Sequence, residues 1–263
     1  MPFLLPLRRT AWTLVGLAAV MIALALPAAA QTLPPMTDAQ KAQLGAFVRD
    51  YIMQHPEVIQ DALVELDRRQ KEAEKVATRK ALSEVAGSLV KSPRNIVVGN
   101  PDGDVTLVEF FDYNCGYCKR SLADLREMIK SDPKLRVVIR DFPVLGQDSV
   151  EATFAAVAAK LQLKPERYFE FHQKLMDSKG RIGKERALQV AKEFGADPVR
   201  LARDMDNPEV KAAVEETMQI ADTLKLQGTP AFIIGDEIIF GSVGVEPLRK
   251  AVASMRQCGK SAC

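Results

Sequence analysis

The sequence predicts an α/β domain preceded by a helical arm, and three observations carry that reading. The apolar run Val105 to Phe111, a helical stretch and the alternating run Leu135 to Arg140 make a β-α-β unit. From Ser149 to Leu226 the apolar spacing is helical throughout. Ala231 to Ile234 and Glu237 to Phe240 then flank Gly235-Asp236 as a hairpin, and Val245 to Met255 is a last helix.

The first segment stands apart from this fold. Arg8-Arg9 precede the apolar stretch Ala11 to Leu26, and Pro27-Ala28-Ala29-Ala30 ends in a small-residue cleavage pattern. The apolar stretch is shorter than the roughly 20 residues a spanning helix needs, so residues 1–30 read as a cleaved signal peptide. Its loss removes two arginines and no acid, which takes the formal charge from +2 to zero. No clustered basic charge remains to bind nucleic acid. All four cysteines follow the leader, in a chain addressed to a compartment where disulfides persist.

Residues 31–91 are expected to be a linker and helical arm. Pro34-Pro35 marks the linker, and Thr37 offers an N-cap for a helix carrying Leu44, Phe47, Val48 and Ile52. Pro56 suits the first turn of a second helix that runs to about Lys91. Its middle, Asp67 to Lys75, is charged and its ends are apolar, so those ends need a partner, which points to self-association. The domain itself is expected over 92–256, with a helical insert at about 149–226 and a tail at 257–263. Within the insert, Lys164-Pro165, Asp197-Pro198 and Asn207-Pro208 restart helices, because an N-cap and a first-turn proline come together.

The chemistry concentrates in Cys115-Gly116-Tyr117-Cys118, where the strand 105–111 gives way to a helix. A sulfur at a helix N-terminus meets unpaired N–H groups and the positive end of the dipole, which favour the thiolate. Cys115 is therefore the attacking thiol. Cys118, one turn in, is the resolving thiol. A zinc site would need two further ligands at knuckle spacing. The other cysteines, Cys258 and Cys263, lie far away and His55 and His172 stand alone, so the pair reads as redox, with no metal and no cofactor. Glu109 is either a solvated edge residue or a buried acid of raised pKa. Cys258 and Cys263 are expected to form a local structural disulfide.

The order of elements, with Phe110-Phe111-Asp112-Tyr113-Asn114-Cys115-Gly116-Tyr117-Cys118-Lys119 and Gly228-Thr229-Pro230-Ala231, resembles the DsbA family of periplasmic thiol–disulfide oxidoreductases. The arm resembles the Com1/ScsC-like branch, whose members can trimerise through such helices. The resemblance implies a thioredoxin fold with an inserted helical domain. It also implies a cis peptide at Pro230 beside the cysteines, with the Thr229 backbone pairing with a client chain. Glu109 would be the buried carboxylate that relays the proton of Cys118. Gly116-Tyr117 and Thr229 match isomerase-like members better than oxidases.

The expected function is therefore a periplasmic disulfide isomerase or reductase acting on exported client proteins. It would be kept reduced by a membrane thiol reductase of the DsbD/ScsB kind. It would be a homo-oligomer, a trimer in preference to a dimer. The rival readings are a DsbA-type dithiol oxidase, a copper-binding or copper-tolerance protein and a holdase. His172 is expected to be a surface or core histidine.

Overall fold

A computed structural model of the chain describes residues 35–263. The expected signal peptide lies outside the described residues. No described helix is long and apolar enough to cross a membrane.

Two compact units divide at Glu65 and Leu66. In the first, helix α1 (Asp38–Gln54) opens with a capping box: Thr37 and Gln40 satisfy each other's backbone N–H groups. None of its described residues is buried. Leu44, Phe47, Met53, Leu63 and Val64 are among its exposed apolar side chains. Helix α2 (Glu57–Lys91) begins there and ends in the second unit.

The second unit holds strands β1 (Ile96–Gly99), β2 (Val105–Phe111), β3 (Leu135–Asp141), β4 (Ala231–Ile234) and β5 (Glu237–Phe240) in one sheet of order β1-β3-β2-β4-β5. Only β2 and β3 are parallel, and helix α3 (Gly116–Ser131) crosses between them. Helices α4 (Gln147–Ala159), α5 (Pro165–Met176), α6 (Lys184–Glu193), α7 (Pro198–Asp204) and α8 (Pro208–Thr223) form the insert, and α9 (Val245–Cys258) follows the hairpin. Asp197 and Asn207 cap α7 and α8, each with a proline in the first turn.

Strand pleating sorts β2 onto two cores. Leu107 and Phe111 face Cys118, Leu122, Leu125 and the insert. Val108 and Phe110 face Leu82, Val85 and Leu89 of α2 with Ile220 and Leu224 of the α8 end. The last turns of α2 thus belong to the second unit's core, and a partly buried knot fastens them: the buried Arg140 pairs with Glu216 at 3.2 Å and donates to the Ser88 carbonyl.

The register of β2 on β3 is fixed at its start. Val105 lies opposite Leu135. The preceding Gly103 packs so close to the backbone of Lys134 and Arg136 that a Cβ atom would overlap it. Glu109, two residues from Leu107 and from Phe111, therefore falls on the α3 face.

Candidate functional site

The site lies at the C-terminal end of β2. Cys115 is the N-cap of α3, with extended backbone (φ −79°, ψ 115°), and its sulfur accepts the Cys118 N–H at 3.4 Å. Across from it the Thr229-Pro230 peptide is cis, and the Cys115 thiol donates to the Thr229 carbonyl at 3.2 Å. Cys115, Cys118, Thr229 and Pro230 thus meet at one point. Cys115 is 6 % exposed and Cys118 fully covered, both as free thiols.

Electrostatics separate the two sulfurs. A hydrogen bond from the Cys118 thiol does most to bring the Cys115 pKa down to about 5. The Thr229 side chain and the Cys118 and Tyr117 N–H groups add to it against the cost of burial. Burial pushes the Cys118 thiol far up, and its bond to Cys115 and the nearby Glu109 charge push the same way. The Gly116 and Tyr117 side-chain positions donate nothing. Gly116 has open space at its Cβ, and Tyr117 is 59 % exposed with the Arg120 guanidinium 4.2 Å from its ring. Alkylation of the reduced protein by iodoacetamide should therefore rise with a midpoint near pH 5 and level off before pH 7. A midpoint near 9 would contradict this geometry.

Glu109 is 2 % exposed, and Ser121 Oγ donates to it at 3.2 Å while also bonding the Cys118 carbonyl at 3.0 Å. Burial raises its pKa to about 8. A buried acid that still holds its proton at neutral pH, one side chain removed from the Cys118 backbone, is placed to exchange a proton there.

Asp112 and Asn114 organise the loop, and sequence reading gave neither a role. Asp112 accepts the N–H groups of Asn114 (2.7 Å), Val144 (2.9 Å) and Leu145 (3.0 Å) and the Ser149 hydroxyl (2.8 Å). Asn114 clasps the Ile182 backbone from both sides, donating to its carbonyl at 2.9 Å and accepting its N–H at 2.8 Å. Their place just before a helix-opening cysteine is the one local signal that could have marked them. Asn114→Ala strips both Ile182 backbone groups of their partner and should cost about 2 kcal/mol in urea unfolding.

His172 is a core residue. It is 1 % exposed, its Nδ1 lies 3.2 Å from the Tyr113 hydroxyl, and burial pushes its pKa down to about 3, so it stays neutral. Cys258 and Cys263 are joined in a disulfide away from this site. Among the described residues no cluster of three or more His, Cys, Asp or Glu side chains is placed to hold a metal ion.

Comparison with known proteins places this arrangement. The model of the DSBA-like thioredoxin domain matches residues 106–253. The chain belongs to that family. The model of the copper resistance protein ScsC N-terminal domain matches residues 40–73. Among solved structures, a thioredoxin-like oxidoreductase from Silicibacter pomeroyi is 41 % identical, with 65 % of this chain and 98 % of that one covered and a TM-score of 0.62. A linker-deletion mutant of Proteus mirabilis ScsC is 26 % identical, with 86 % and 99 % covered and a TM-score of 0.64. Disulfide bond formation protein D of Bacillus subtilis is 25 % identical over 59 % of this chain and 74 % of that protein. A Na(+)/H(+) antiporter of Salinispora arenicola is 27 % identical over 63 % of this chain, which spans 25 % of the antiporter's length. As a DSBA-like thioredoxin domain with an ScsC-like N-terminal segment, the chain has the fold and family that its motifs resemble.

Proposed function

We propose that this chain is an exported thiol–disulfide oxidoreductase that isomerises or reduces disulfides in protein clients of the periplasm. One observation carries the reading: the donors of the α3 N-terminus and the cis Thr229-Pro230 peptide converge on the Cys115 sulfur, with Cys118 covered behind it. The Cys115 thiolate attacks a client disulfide, forming a mixed disulfide and releasing a client thiolate. In isomerisation a second client thiol displaces Cys115. In reduction Cys118 attacks Cys115 instead, forming the Cys115–Cys118 bond. Its proton passes to the ionised fraction of Glu109, about a tenth at pH 7 for a pKa of about 8, and the client leaves with both sulfurs reduced.

Exposed apolar side chains suit an unfolded client. Val144 and Leu145 donate their N–H groups to Asp112 beside the motif, and Phe240 pairs with Ala231, next to Pro230. Repeated turnover in the reduced state needs an electron donor, a membrane thiol reductase of the DsbD/ScsB kind. The unburied apolar residues of α1 support a homo-oligomer, a trimer in preference to a dimer, which sedimentation of a Phe47→Glu variant would test. The expected result is a smaller species.

The low pKa of Cys115 favours a second reading. A stabilised thiolate makes the reduced pair stable and its disulfide oxidising, as a dithiol oxidase requires. One experiment separates the two. Reduced protein should restore activity to scrambled ribonuclease, whereas an oxidase would fail there and, in disulfide form, restore reduced ribonuclease. The ScsC match adds a third arm: stoichiometric Cu(I) binding by the two thiols without turnover would point to copper tolerance instead.

A further inference from the structure

The second cysteine pair lies in surroundings opposite to those of the first. Cys258 is the last residue of α9, and Gly259 caps that end in the left-handed conformation at φ 72°. At a helix C-terminus the dipole is negative and carbonyl groups, not N–H groups, are left unpaired. The Cys263 sulfur lies 3.5 Å from the Ser254 carbonyl oxygen and the Cys258 sulfur 3.8 Å from that of Lys260. A thiolate on either sulfur would face acceptors, where the Cys115 thiolate faces donors.

The tail is also held by more than its disulfide. The Ser261 N–H and hydroxyl both donate to Asp236 Oδ1 at 3.0 Å, and Asp236 Oδ2 accepts Arg79 Nε at 3.2 Å. With the S–S bond open, these contacts keep Cys263 near Cys258, which raises the effective concentration of one thiol at the other. Both effects favour the disulfide at the tail, whereas the donors at Cys115 favour the dithiol. Cys258 and Cys263 are exposed, so another molecule can reach them.

We propose that Cys258 and Cys263 are a second thiol–disulfide exchange site, whose reduced form takes the disulfide from Cys115–Cys118 of another copy of this chain. The proposal rests on the exchange chemistry assigned to Cys115. Another copy is required because Asp236, which holds the tail, sits beyond the end of β4 opposite Pro230, about 13 Å along the strand. A tail thiolate attacks the Cys115 sulfur, the Cys115–Cys118 bond breaks, and Cys118 leaves and takes up a proton. The other tail thiolate then attacks the tail sulfur of the mixed disulfide, closing Cys258–Cys263 and releasing Cys115 as a thiolate. Two electrons pass from tail to active site. Of the two protons the tail loses, one ends on Cys118 and one in solvent. The oxidant is the active-site disulfide that client reduction itself produces. The tail, a disulfide in this structure, takes its two electrons beforehand from the membrane thiol reductase that the proposed function calls for. Once reduced, it returns an oxidised copy to the attacking state.

Two full-length variants test this. The donor carries Cys258→Ser and Cys263→Ser with its active site oxidised, and the acceptor carries Cys115→Ser and Cys118→Ser with its tail reduced. Alanine replaces serine in either pair if that variant fails to fold. After mixing at equal concentration, acid quench and alkylation, peptide mass mapping reads the disulfide on each. The expected result is at least about a tenfold excess of tail disulfide over remaining donor disulfide at equilibrium. Transfer should also be faster than from oxidised glutathione at the same concentration. A ratio at or below one, or transfer no faster than from glutathione, overturns the proposal. Reduced dithiothreitol serves as a parallel acceptor. A donor that oxidises dithiothreitol but not the tail overturns this proposal alone. A donor inert to both overturns the exchange reading of Cys115 and this proposal with it.

Discussion

Cys115→Ser is expected to lower scrambled-ribonuclease reactivation by more than about a thousandfold, to the uncatalysed background. A hydroxyl at the α3 N-cap still accepts the Cys118 N–H, so the fold should survive while the attacking thiolate is gone. Cys118→Ala gives the complementary result. Cys115 still attacks, but nothing inside the protein displaces the client, so mixed disulfides should accumulate and be visible on non-reducing gels. Undiminished activity in the Cys115 variant would remove the exchange assignment altogether. A Cys118 variant that traps nothing would show that client thiols do the resolving.

The second large effect concerns Glu109, where stability and chemistry pull in opposite directions. Burial raises its carboxyl from an ordinary value of about 4.5 to about 8. An acid whose pKa is raised on folding costs nothing below its unfolded value. Its cost then grows with pH until the folded value is passed. Wild type should therefore lose stability between about pH 4.5 and 8, by roughly 3 kcal/mol at pH 7 and about 5 kcal/mol beyond pH 8. Glu109→Gln keeps the shape and cannot ionise, so its urea-unfolding curve should lack that component and the variant should be the more stable protein above pH 5. The same variant should resolve mixed disulfides about tenfold more slowly at pH 7 and about a hundredfold more slowly above pH 8, where the wild-type carboxylate is ionised and can take the proton of Cys118. Parallel stability profiles for the two proteins would show that the carboxyl is not buried. An unchanged resolving rate would show that it is a bystander.

Much of the architecture is local enough to read in a row of letters. Asp197-Pro198 and Asn207-Pro208 announce helix starts because cap and first-turn proline act within one turn. Gly235-Asp236 announces a hairpin, and Cys115-Gly116-Tyr117-Cys118 announces its chemistry through spacing alone. What stays hidden depends on partners distant in sequence. Asn114 looks like an ordinary loop residue until Ile182, 68 positions on, presents both backbone groups to it. Leu82, Val85 and Leu89 look like part of an arm until Val108 and Phe110 supply the surface they cover. Glu109 is undecidable between solvent and core until the face covered by α3 is known. That the Cys115 pKa is lowered is legible from its place at a helix start, but that the Cys118 thiol and the Thr229 side chain contribute more than the Cys118 and Tyr117 N–H groups is not.

The close approach at Gly103 has a consequence at the other end of β2. It sets a reading frame for the strand: counting from that glycine, alternate residues are assigned to opposite cores, and position 109 falls with Leu107 and Phe111 on the side beneath α3. An insertion of one residue after Gly103 would leave every side chain chemically intact yet turn the acid into the Val108 and Phe110 layer. An insertion of two would restore the side but slide the carboxyl about 7 Å along the strand, past Ser121. Proton handling at the cysteines is thus set by parity at a turn that touches neither of them.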